Sequence, residues 1–146
     1  MWWKQHSRRY RKEIGDLRRH HPQAKIVAGP HLSRYCPTCK GVINPAEQHL
    51  AVLATISTRL GRSYPIIMVY PCDFPYRVPG VWSLQPLRPR PPHIFADDRL
   101  CLTVDESAVD VTGSVVLTWA FDYFTCYDIW CKSGTFPSTN YGKHRV

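Results

Sequence analysis

The sequence predicts an α+β fold, and three observations carry that prediction. Trp3, Tyr10, Ile14 and Leu17 recur at steps of seven, four and three residues, the period of one helical face. Residues 25 to 84 hold four β-branched and aromatic runs joined by short turns, which favours an antiparallel meander over parallel strand–helix–strand units. An apolar stretch from Val115 to Cys131 then reads as a second long helix.

The first helix ends before Pro22, because the residue preceding proline is pushed out of helical backbone. Gly15 weakens it by about 1 kcal/mol relative to alanine. The strands are expected at Lys25–Ala28, His49–Ile56, Ser63–Tyr70 and, more weakly, Val81–Leu84. Eight of the thirteen prolines lie between Pro65 and Pro92, so Pro71 to Pro79 and Pro86 to Pro92 are expected as irregular chain. Tyr70, Phe74, Tyr76, Val78, Val81, Trp82 and Leu87 interleave with those prolines, which predicts a packed segment rather than a solvated linker. For the last helix, Asp110, Thr112 and Ser114 are the candidate caps, and Gly134 with Pro137 marks the stop. Its apolar residues run almost all the way round, which predicts deep burial. The tail from Thr135 reads as polar and irregular, and no internal repeat is visible.

A chain of 146 residues predicts one domain spanning 1–146, long enough to support a core without staples. No leader is legible, since Met1-Trp2-Trp3-Lys4 runs into Arg8, Arg9, Arg11 and Lys12 without an apolar stretch. The most apolar window contains Asp122 and Asp128, which a lone membrane span would not accept. A cytoplasmic location with six reduced cysteines follows as the expectation. The formal net charge is +8, of which residues 1 to 21 hold +5. That patch fits an acidic protein face through Arg8, Arg9, Arg11 and Lys12, or a solvated helix face. Nucleic acid is disfavoured, because no aromatic stacking platform accompanies the charge.

The chemistry-bearing stretch is Pro92-His93-Ile94-Phe95-Ala96-Asp97-Asp98-Arg99-Leu100-Cys101-Leu102. Cysteine attacks only as thiolate, and a free thiol with a pKa of about 8.5 is little ionised near neutrality. Arg99 and His93 can supply positive charge, and His93 can alternatively orient an oxyanion. The competing reading makes Cys101 a small buried hydrophobe between Leu100 and Leu102. Asp97, Asp98 and Asp105 can steer an amine or simply form turns. Cys36-Pro37-Thr38-Cys39 is a separate signal: half of a tetrahedral zinc site, a redox pair, or ordinary strand-end thiols. His20, His21 and His31 are unpatterned candidates for the missing ligands, Cys126 and Cys131 read as core, and Cys72 carries no assigned role.

Tyr70-Pro71-Cys72-Asp73-Phe74-Pro75-Tyr76-Arg77-Val78-Pro79-Gly80-Val81 resembles the aromatic–proline segment of the ubiquitin-conjugating enzyme family. Downstream, Pro91-Pro92-His93 stands at that family's His-Pro-Asn triplet, and Leu100-Cys101-Leu102 at its active-cysteine motif, with the same interval between them. The order of elements matches too. The resemblance implies the family's fold and a catalytic Cys101, assisted by His93 and Arg99. His93 replaces the family's asparagine, Asp98 its glycine before the cysteine, and no tryptophan follows closely. In these respects, and in the ending Trp130 to Pro137 with His144 beyond, the chain is similar to the stand-alone bacterial members. Those occur in cyclic-oligonucleotide antiphage defence (CBASS) islands. The resemblance implies a thioester with the C-terminus of a cGAS-like nucleotidyltransferase, passed on to an amine, and a first helix that docks a partner. No cofactor is expected of this chain. Two other functions stay open: a non-catalytic partner-binding module of the same fold, and a small zinc-dependent nucleic-acid-binding protein built on Cys36 and Cys39.

Overall fold

In the computed structural model, which describes residues 1–103 and 111–137, the chain is α+β. Two N-terminal helices, α1 (Trp2–Gln5) and α2 (Ser7–His20), precede strands β1 (Lys25–Gly29), β2 (His49–Ser57), β3 (Ser63–Val69) and β4 (Gly80–Ser83). A long helix, α3 (Gly113–Ser133), follows. The expected single first helix is thus broken, at His6, whose backbone leaves the helical region (φ −123°, ψ 62°). The break resets the helical phase. Trp2 rather than Trp3 therefore turns inward, its ring 4.5 Å from Phe74 and 5.1 Å from Tyr70.

The four strands form one antiparallel sheet in the order β1-β2-β3-β4, the meander the sequence predicts. Register is set by pairs such as Val27 with Ala51, Leu53 with Ile67, and Met68 with Val81. Side chains alternate across the pleat. Val52, Ile66, Met68 and Val81 face the helices, where Leu17, Val116, Leu117, Ala120 and Phe124 complete the main core. Ala51, Ile67, Val69 and Trp82 face the other way, onto Leu32 from a 3₁₀ segment at Pro30–Tyr35. Covering both faces explains why β2 and β3 read as near-continuous apolar runs.

Thr112 caps α3, its Oγ1 accepting from Val115 N–H at 3.3 Å, and Gly134 ends it in the left-handed conformation (φ 76°). Burial of α3 is less complete than expected. Val115, Thr118, Asp122 and Ile129 are exposed, because sheet and α2 cover only part of its circumference. No helix among the described residues is long and apolar enough to cross a membrane.

Two buried carboxylates tie these layers together. Glu13 of α2 accepts from Tyr70 O–H at 3.0 Å and from the Gly113 N–H at 2.6 Å, and pairs with Arg9 at 3.3 Å. Asp128 of α3 accepts from the hydroxyls of Thr58 and Tyr64, with Arg62 at 3.7 Å. Buried charge persists only when paired and hydrogen-bonded, and both groups meet that condition.

Candidate active cysteine and a thiol–imidazole cluster

Cys101 sits in a loop pinned along the outer edge of β4. Leu100 N–H donates to Val81 O and Cys101 N–H to His93 O, each at 2.9 Å. Isolated bridges join Trp82 with Arg99 and Ile94 with Leu100. Leu100 and Leu102 are buried at 3% and 8% exposure and anchor the loop, while Cys101 between them is only half-buried. The alternative of a sealed core thiol therefore does not hold.

The surrounding loop is held tightly. Phe95 N–H bonds Arg99 O at 2.9 Å, and Trp82 Nε1–H donates to Asp97 O at 3.2 Å. From α3, Tyr123 O–H donates to Pro92 O and Tyr127 O–H to Pro89 O, both at 2.8 Å. His93 (φ 56°) and Asp98 (φ 67°) adopt left-handed backbone, which costs a non-glycine residue on the order of 1 kcal/mol. Such strain tends to gather at functional loops.

Of the expected catalytic side chains, His93 lies beside Cys101 through its carbonyl, and its exposed ring sits 5.1 Å from the Phe136 ring. The Arg99 guanidinium stacks over Phe95 at 4.3 Å, a cation–π contact that fixes its stem along the loop. Asp97 accepts from Arg99 N–H at 3.2 Å and Asp98 pairs with Arg90 at 2.5 Å, both turn-forming roles. Asp105 and His144 lie outside the described residues.

The basic first-helix patch is not uniformly exposed. Arg8, Arg11 and Lys12 are exposed, but Arg9 is partly buried. It pairs with Glu13, donates to Val111 O at 2.8 Å and covers the Phe74 ring at 5.0 Å. Arg9 therefore lies against the core, held by a buried carboxylate one helical turn away.

A second constellation lies at the start of β2. Cys36 ends the 3₁₀ segment, Cys39 follows in a tight turn, His49 opens β2 and Cys72 follows β3. Their four donor atoms lie within 4.8 Å of one another. His49 Nε2 is 3.3 Å from Cys39 Sγ and 3.1 Å from Cys72 Sγ, and the sulfurs of Cys39 and Cys72 are 3.3 Å apart. Cys36 Sγ is 3.7 Å from Cys72 Sγ. The turn closes through Lys40 N–H to Cys36 O at 3.1 Å, with Lys40 (φ 51°) and Gly41 (φ 79°) in left-handed backbone.

Burial opposes ionisation of Cys36, but hydrogen bonds from His49, Cys72, Cys39 and Thr38 outweigh it and bring its pKa down to about 5. Burial pushes Cys39 and Cys72 up, and the nearby Cys36 sulfur adds to that rise. One negative charge among three sulfurs is stable here; further ones repel.

The pairing of Cys36 with Cys39 was legible, but His20, His21 and His31 are not its companions. His21 Nε2 instead lies 3.2 Å from Ser114 O. The companions are His49 and Cys72, brought together because antiparallel pairing sets the start of β2 beside the end of β3: Tyr70 N–H donates to Leu50 O at 2.9 Å. The signal that would have found them is positional, a histidine opening one strand and a cysteine just past its hairpin partner.

Comparison with models of known protein families and with curated protein sequences gives no match.

Proposed function

We propose that this chain carries an acyl group as a thioester on Cys101, on a fold of the ubiquitin-conjugating kind. The observation that carries the reading is a half-buried thiol between two buried leucines, in a strained loop hydrogen-bonded to a sheet edge. A cysteine sealed in apolar surroundings is inert, whereas a reacting one must be reachable and held on a rigid support.

The Cys101 thiolate attacks the carbonyl carbon of an activated C-terminus, an acyl adenylate or a thioester. A carbon–sulfur bond forms, and the leaving nucleotide phosphate or thiol departs with the electron pair of the broken bond. His93 stabilises the tetrahedral oxyanion, the N–H groups of Leu100 and Cys101 being already engaged with Val81 O and His93 O, and Arg99 adds positive charge to the loop. An amine then attacks the thioester; the carbon–nitrogen bond forms, the carbon–sulfur bond breaks, and the amine's proton leaves to solvent or a nearby base. The acyl donor in this reading is the C-terminus of a cGAS-like nucleotidyltransferase in bacterial antiphage defence. Exposed Arg8, Arg11 and Lys12 would speed encounter with an acidic donor face. The carriage step uses side chains and backbone alone.

A C-terminal peptide thioester with a small thiol leaving group is the test probe. Intact-mass analysis should show a stable adduct that reductant and hydroxylamine remove, that Cys101→Ala abolishes and that Cys131→Ala leaves in place. An adduct surviving in Cys101→Ala would refute the assignment.

A further inference from the structure

We infer that Cys36, Cys39, Cys72 and His49 form a structural zinc site that clasps the proline-rich turn and the 36–48 connection to the sheet. The inference is independent of the thioester reading. It rests on donor chemistry and geometry. Zinc takes four ligands in a tetrahedron, with Zn–S bonds of about 2.3 Å and Zn–N bonds of about 2.0 Å, so its donors lie about 3.5 to 3.8 Å apart. Four of the donor separations, 3.1, 3.3, 3.3 and 3.7 Å, run from slightly below that spacing up into it, and all four donor atoms lie within 4.8 Å of one another, so small side-chain shifts admit the ion. Three sulfurs and one imidazole nitrogen are also a recurrent structural zinc set.

A redox pair fits less well. A disulfide needs two sulfurs at about 2.05 Å, and joining any two of these would strand the third against an imidazole. Hard oxygen-seeking cations are excluded by the sulfur donors. With four protein ligands and no open position the ion would hold structure rather than activate water.

The location gives the clasp a purpose. The connection from Pro37 to Gln48 contains no strand or α-helix and is mostly exposed, with Val42 and Ile43 at 68% and 62%. It contributes little to the core, so a crosslink at its ends does what packing does not. Cys72 opens the turn that carries Phe74, against which Trp2 packs. Cys72 is exposed, which leaves the ion a path in.

Protein produced in zinc-supplemented medium and purified under reducing conditions should contain roughly one zinc per chain by elemental analysis. Cys39→Ser and His49→Gln should each lose most of it, while Cys101→Ser keeps it. Stripped protein titrated with cobalt(II) should develop the intense visible bands of tetrahedral thiolate coordination, read without any demand on activity. Should a variant fail to fold, that cobalt titration of the wild type still decides the question. Wild-type protein holding less than about a tenth of an equivalent, with no tetrahedral cobalt spectrum, would overturn the site. So would zinc retained in full by folded Cys39→Ser.

Discussion

Glu13 and Gly113 stand a hundred residues apart, yet a carboxylate oxygen of the first accepts the N–H of the second at 2.6 Å. The same oxygen accepts from Tyr70, so one side chain of α2 holds the end of β3 and the start of α3 together. Removing it leaves Arg9, Tyr70 and Gly113 without that acceptor. Glu13→Ala should lower stability by about 3–5 kcal/mol, the range for breaking a buried charge pair, and Glu13→Gln by less. Urea unfolding at neutral pH measures both; a loss under about 1 kcal/mol for the alanine variant contradicts the account.

Gly113 is glycine because of what lies against it. A Cβ there would strike the Tyr70 hydroxyl and approach Met68 Cε to 2.8 Å. Gly113→Ala should destabilise by about 1–3 kcal/mol, as overpacking does. Adding Tyr70→Phe should recover part of that loss, since residues in contact are not additive. Simple additivity in a denaturant double-mutant cycle would show that the clash is relieved elsewhere.

Tyr123 supports the cysteine loop from beneath through its bond to Pro92 O. Tyr123→Phe should lower stability by only about 1 kcal/mol, yet slow loading of Cys101 several-fold while leaving cleavage of the finished thioester by hydroxylamine unchanged. Loading at the wild-type rate would mean His93 holds its position without this bond.

Alkaline pH gives a separate reading of the core. Burial pushes Tyr127 up to about 12, and burial raises Tyr64 and Tyr70 as well, helped by Asp128 and Glu13 respectively. In the unfolded chain these phenols ionise near 10. The folded protein therefore keeps protons that the unfolded chain releases, so their contribution is whole below about pH 10 and shrinks as pH rises toward the folded values. The urea midpoint should fall between pH 9 and pH 11; a flat profile would mean the phenols are open to water.

The strands were legible to within a residue or so, because β-branched runs and turn residues act locally. The stop at Gly134 was legible too, while the cap was narrowed only to Asp110, Thr112 or Ser114, of which Thr112 is the one that accepts the Val115 N–H. Glu13 was not, since a glutamate between Lys12 and Ile14 has every local mark of a surface residue; only its distance from Tyr70 and Gly113 makes it core. The break at His6 likewise follows from Trp2 seeking Phe74 and Tyr70, contacts with no local trace. For the cysteines, spacing exposed Cys36 and Cys39, while His49 and Cys72 depended on strand pairing.

The hydrogen bond from Leu100 to Val81 has one more effect. An outermost strand offers unpaired amides and carbonyls to any neighbouring chain, the usual starting point for unwanted association between sheets. Here the segment bearing Cys101 occupies part of that border of β4. Prying it loose would expose a sticky margin along with the sulfur, so damage to the loop should surface as clumping of the protein as well as lost chemistry.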